Sequence, residues 1–87
     1  MNIRISDDVV FRDLAGEAVI LNLSSGVYFG LDEVGTRMWQ LLSEHGDDAK
    51  SLAILLDEYE VDATRLRADF DLLLGQLRAK GLILVEP

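Results

Sequence analysis

A chain of 87 residues, 49% of them hydrophobic, is long enough to pack one core and too short to divide into two. It holds no cysteine, which excludes a disulfide framework and any thiolate metal site. A net charge of −8 argues against nucleic-acid binding, whose affinity comes largely from basic side chains set against phosphates.

The opening Met1-Asn2-Ile3-Arg4 leads into no apolar signal core. No apolar run approaches the roughly 20 residues that cross a bilayer. The expectation is one cytoplasmic domain over residues 1–87, without a membrane segment. Its charge is uneven. Residues 1–64 carry four basic and thirteen acidic side chains, net −9, whereas residues 65–87 carry four basic and three acidic, net +1. Arg65, Arg67, Arg78 and Lys80 are interleaved with Asp69 and Asp71, the pattern of a solvated helix face.

The first third reads as strands. Val9-Val10-Phe11-Arg12-Asp13-Leu14 is rich in β-formers and is broken by Ala15-Gly16-Glu17. Val19 to Leu23 is the second predicted strand, ended by the hairpin-type connection Ser24-Ser25-Gly26. Val27 to Leu31 is the third. Connections this short predict an antiparallel meander.

Helices follow. Asp32 is placed to cap the first, with Val34, Met38, Leu41 and Leu42 on its apolar face, Trp39 beside them and Gly46 at its end. Asp48 is expected to cap the second, with Leu52, Leu55, Leu56 and Tyr59 inward. Asp62 is expected to cap the third, ended by Gly81. Its stripe of Leu66, Phe70, Leu73, Leu74 and Leu77 follows the helical period. Leu82 to Val85 reads either as a short last strand or as a tail packed on the core. The fold class expected is α+β, a three-stranded antiparallel sheet followed by a three-helix bundle with winged helix-turn-helix proportions.

No catalytic constellation assembles. The single histidine, His45, falls at a helix end, where its cation complements the helix dipole. One histidine without cysteine builds no ordinary zinc site. The acidic pairs Asp7-Asp8, Asp32-Glu33 and Asp47-Asp48 fall at turns or helix starts, where carboxylates accept backbone N–H groups. The glycines Gly26, Gly30 and Gly35 match no dinucleotide or phosphate-loop spacing. The reading is a non-enzyme with no metal and no cofactor.

What remains is an open strand. In a meander the third strand is an edge, and here it carries no lysine or proline to blunt it. Alternation sets Val27, Phe29 and Leu31 on one face and Tyr28 and Gly30 on the other. Either one set is simply core, or an extended peptide adds beside the strand. On the third helix, Asp69, Leu73, Gln76 and Lys80 form one rim of the core stripe, with Leu72, Ala68 and Ala79 further round. That rim suits a groove facing Val27 and Tyr28. Asp69 has a second reading, as an i,i+4 partner of Arg65.

The run Leu21-Asn22-Leu23-Ser24-Ser25-Gly26-Val27-Tyr28-Phe29-Gly30-Leu31-Asp32-Glu33-Val34-Gly35-Thr36-Arg37-Met38-Trp39 resembles the PqqD-like family, the recognition elements for ribosomally made, modified precursor peptides. A Leu-Asn, a turn with Gly, an aromatic pair, a Gly-Leu-Asn and a helix with Trp recur there in this order. Asp32 stands where Asn is commoner. Arg67-Ala68-Asp69-Phe70 and Lys80-Gly81-Leu82-Ile83 resemble later family segments. The resemblance implies a leader peptide bound along the third strand and against the third helix. Taken with the open strand and the helix rim, the expected peptide-binding residues are Val27, Tyr28, Phe29, Gly30 and Leu31, with Asp69, Leu73, Gln76 and Leu77 opposite. A Tyr-Pro-Glu-like segment, usual in the pyrroloquinoline quinone branch, is absent. The chain is therefore more similar to the discrete leader-binding half of the split lasso-peptide protease. That implies a lasso precursor, a separate cysteine-peptidase subunit and an ATP-dependent cyclase as partners. Delivery to a radical-SAM or other modifying enzyme is the alternative within the family. A winged-helix DNA-binding regulator is the alternative outside it.

Overall fold

A computed structural model describes residues 2–86; Met1 and Pro87 lie outside them. The chain is α+β. Strands β1 (Asn2–Ile5), β2 (Val9–Leu14), β3 (Glu17–Asn22) and β4 (Tyr28–Leu31) come first. Helices α1 (Glu33–His45), α2 (Asp48–Glu58) and α3 (Ala63–Ala79) follow, and β5 (Ile83–Glu86) closes the chain.

The expected meander is present. β2, β3 and β4 form an antiparallel sheet in that order, with Ile20 opposite both Phe11 and Phe29. The β2–β3 turn is Ala15-Gly16, with positive φ at both residues, as a type I′ hairpin demands. Asp13 Oδ1 accepts the Gly16 N–H at 2.9 Å and supports that turn. The β3–β4 turn is organised by Asn22, whose Oδ1 accepts from the Ser24 and Ser25 amides at 2.9 and 3.2 Å. The same side chain donates to the Gly81 carbonyl at 3.3 Å, tying the sheet to the end of α3. Asn22 of the Leu-Asn motif is thus a structural tie.

A second sheet was not expected from the sequence. β1 pairs antiparallel with β5, Ile3 opposite Val85 and Ile5 opposite Ile83. Leu82 to Val85 is therefore mostly strand, paired with the chain's first residues. The Ile3 amide also donates to the Gly46 carbonyl at 2.9 Å, so β1 clasps the α1–α2 corner to the C-terminal strand.

The helix caps need one correction. Asp32 caps α1, accepting from the Gly35 amide at 2.7 Å, and Asp62 caps α3 through Thr64. The cap of α2 is Asp47, which accepts from Lys50, and not Asp48. Asp48 is the first helical residue, buried, with its carboxylate 3.3 Å from Arg67 Nη2. Adjacent aspartates make either residue a plausible cap, and the tertiary partner Arg67 separates them. Two residues expected inward also turn outward: Val34 and Leu56 are 36% and 37% exposed. β3 and β4 each begin and end within two residues of the expected bounds.

The core joins all the layers. Ile20 from the sheet, Leu41 and Leu42 from α1, Leu55 from α2, Phe70 and Leu77 from α3 and Ile83 from β5 are fully buried. Trp39 is buried as well and stacks on Phe11, with ring centroids 6.5 Å apart.

Candidate functional site

β4 lies at the edge of its sheet, paired with β3 alone. The Asn22 amide donates to the Val27 carbonyl at 2.8 Å, which makes Asn22–Val27 a hydrogen-bonded pair. Antiparallel ladders alternate, so the backbone groups of Phe29 and Leu31 turn toward β3, and those of Tyr28 and Gly30 turn outward. The free edge therefore offers N–H and C=O groups at alternate residues, which is what a further strand needs.

A cavity of about 420 Å³ opens beside this edge. Phe29, Gly30 and Leu31 form its sheet wall. Asp32, Val34, Gly35 and Met38 form the wall at the start of α1, and Asp69, Leu72, Leu73 and Gln76 that of α3. The α3 residues lie at i, i+3, i+4 and i+7, hence on one helix face. Gly35 sets the corner: a Cβ there would stand 3.1 Å from Asp32 Oδ1 and 3.3 Å from Leu31 Cδ2. Its missing side chain lets the helix start directly off the strand.

The groove mixes apolar and polar lining, with Asp32 and Asp69 at one end, Gln76 farther along α3, and Lys80 just beyond the lining. Leu72 is 63% exposed, a large apolar surface turned to solvent from the α3 wall, and Leu73 beneath it is half-buried against the core. Asp69 is exposed, and among the described residues its carboxylate takes part in no hydrogen bond or ion pair. The i,i+4 pairing with Arg65 is not formed. Arg67 instead bridges Asp71 and Asp48, so it is committed to holding α3 on α2. At the other end Lys80 Nζ lies 5.9 Å from the centroid of the Phe29 ring.

The residues proposed from the sequence are divided by this geometry. Phe29, Gly30, Leu31, Asp69, Leu73 and Gln76 come together around the groove. Val27 and Tyr28, expected to face Asp69 and Leu73, are not in its lining. Tyr28 is 72% exposed on the opposite face of the sheet, because successive strand residues point to opposite sides. Leu77 is fully buried and removed from the groove, since it shares the core face with Phe70, two turns earlier. Sequence reasoning missed Asp32, Val34, Gly35, Met38 and Leu72 as lining residues. For Leu72 a signal existed, a leucine off the core stripe; for Val34 and Met38 the apolar period pointed to the core instead.

Among the described residues no group of three or more His, Cys, Asp or Glu side chains could hold a metal ion. No helix among them is long and apolar enough to cross a membrane.

The family model described as coenzyme PQQ synthesis protein D (PqqD) matches residues 17–83, which run from the start of β3 into β5. The chain belongs to the PqqD family. Two solved structures share this PqqD-family fold over nearly the whole chain. One is described as TbiB1 in complex with the TbiA(beta) leader peptide. It is 38% identical, with a TM-score of 0.85, over 97% of this chain and 98% of that one. The other is a lasso peptide synthetase B1 complexed with the leader peptide. It is 25% identical, with a TM-score of 0.84, over 98% of this chain and all of the other. No curated protein sequence matches the chain.

Proposed function

We propose that this PqqD-family chain is a non-catalytic adaptor that holds the leader segment of a ribosomally made precursor, a lasso-peptide precursor in the first instance. The leader adds as a fourth strand beside β4, and the adaptor presents it to a separate cysteine peptidase, with an ATP-dependent cyclase acting later. One observation carries this reading. The unpaired edge of β4 opens onto a groove walled by α1 and α3, in a fold shared with two proteins solved with leader peptides. The physical basis is β-augmentation. Backbone bonds at the edge supply affinity and the groove supplies selectivity through alternate side chains.

The DNA-binding alternative gains no support from α3. Arg67 is engaged with acidic partners, and the groove face of the helix presents Asp69.

Strand addition has a direct test in amide hydrogen exchange with and without a synthetic leader peptide. The amides of Tyr28 and Gly30 should gain protection on binding, while those of Phe29 and Leu31, already in the ladder, should change less. An unchanged exchange rate at both Tyr28 and Gly30 under saturating peptide sinks strand addition. Leader cleavage by the purified chain alone would show that it is a catalyst.

A further inference from the structure

Resting on the strand-addition reading, we infer that the groove's charge polarity selects both the sequence and the direction of the peptide it holds. The occupant is an extended segment with a basic residue, then an apolar one two positions later, then an acidic one two positions after that.

Carboxylates line one end of the groove, and an ammonium stands just beyond the other. Lys80 lies over Phe29, and Asn22, cross-strand neighbour of Val27, donates to the carbonyl of Gly81. The C-terminal end of α3 is therefore anchored at the start of β4. Asp69, eleven residues earlier, lies about 16 Å back along the helix. It lines the same cavity as Asp32, which follows the last residue of β4. So α3 runs antiparallel to β4, with two carboxylates at the strand's end and one ammonium at its start.

The carboxylates are not equivalent. Asp32 already accepts the Gly35 amide through Oδ1. The Asp69 carboxylate has no ion-pair or hydrogen-bond partner among the described residues, and Arg65, one turn before it, is not paired with it. Asp69 is the group left to meet a cation, and Lys80 is its counterpart for an anion. Between them Leu31, Val34, Met38, Leu72 and Leu73 offer apolar contact, and Gln76 the one uncharged polar side chain of the lining.

Strand geometry converts this into a sequence. Residues facing the groove alternate, so they stand at i, i+2 and i+4, spanning about 13 Å. That is a few ångströms short of the roughly 16 Å between Asp69 and Lys80 along the helix, a difference long lysine and glutamate side chains can span. The sheet is antiparallel throughout, and antiparallel pairing is slightly the more stable per residue. A peptide continuing that pattern places its N-terminal side beside Asp32 and Asp69. The basic residue therefore comes first and the acidic residue last. The reverse order sets like charges together at both ends, a repulsive element of the kind that gives specificity.

The test uses the full chain and two fluorescein-labelled peptides of identical composition. Both are strand-forming with a central leucine; one has lysine two residues before it and glutamate two after, and the other has these exchanged. At low salt the lysine-first peptide should bind about tenfold or more tightly, the size of one charge-assisted contact. The ratio should shrink in high salt as the charges are screened. The double variant Asp69→Lys with Lys80→Glu keeps the net charge and should invert the preference. Both sites are exposed, and melting curves for the variant check that it folds. Equal affinities, or a preference the double variant leaves unchanged, overturn the charge order. If both peptides bind equally and protect Tyr28 and Gly30, strand addition survives and only this inference falls. If neither binds while a leader peptide protects Tyr28 and Gly30, this inference falls and strand addition stands.

Discussion

The residues that matter in the groove differ in what lies behind them. Leu72 and Leu73 are adjacent, yet Leu72 stands in solvent and Leu73 packs partly against the core. Truncating them separates binding from stability. Leu72→Ala should weaken leader binding while leaving the melting temperature nearly unchanged, because exposed substitutions usually stay within about 0.5 kcal/mol. Leu73→Ala should lower both, since it removes groove wall and core contact together. Titration of the two variants with a fluorescent leader, with melting curves alongside, measures this. Wild-type affinity in Leu72→Ala would exclude that side chain from the peptide's contact surface. The placement of Leu77 follows the same reasoning: a fully buried side chain supports the groove from behind and reaches no ligand.

At the scale of elements, the groove depends on how α1 is held, because its first turn forms one wall. Arg37 in α1 makes two hydrogen bonds to Glu58 at the end of α2, Nε to Oε1 at 2.8 Å and Nη2 to Oε2 at 2.6 Å. This is the paired geometry that suits a guanidinium and a carboxylate. The hydrogen bond from Arg37 holds the Glu58 carboxyl below its ordinary pKa. A carboxyl whose folded pKa is depressed contributes stability above its unfolded value, which for Glu is roughly 4.3. That contribution is lost as pH falls through the folded value. Arg37→Gln should therefore be less stable than the parent at pH 7, with the gap closing as pH falls below the unfolded value of roughly 4.3. Thermal melts of the two proteins across that range check it. A gap that stays constant down to pH 3 would mean Arg37 acts through packing of its stem rather than through its charge.

For the whole molecule, the unexpected feature is closure by the chain's two ends. β1 pairs with β5, its Ile3 side chain is buried, and its backbone bonds the α1–α2 corner. The sheet that carries the groove is joined to the same framework through Asn22 and Ser6, which both donate to the Gly81 carbonyl. Ile3→Ala should cost about 2–5 kcal/mol, the range for emptying a buried isoleucine site. For a domain near this size each kcal/mol lowers the melting temperature by roughly 4–8 °C. A loss of less than a few degrees would show that the β1–β5 pair is peripheral to folding.

Much of this protein was readable from the chain itself. The meander, the three helices, the caps Asp32 and Asp62 and the open third strand follow from local signals: alternation, helical period and turn chemistry. The run from Leu21 to Trp39 resembled a PqqD-like domain, and the family match over residues 17–83 agrees with it. Asp69, Leu73 and Gln76 fell on one rim because a helix repeats every 3.6 residues. Other features depended on distant partners. Ile3 and Ile83 are separated by nearly the whole chain, and four-residue strands at the termini carry too little pattern to announce a pairing. Asp48 is set apart from Asp47 by a distant partner, Arg67, nineteen residues beyond it. Val34 and Met38 share one apolar period along α1, yet Met38 is buried and Val34 is part-exposed, although both line the groove. Period and propensity determine which residues share a face. Only the packing of the other elements decides whether that face is covered or left open for a peptide.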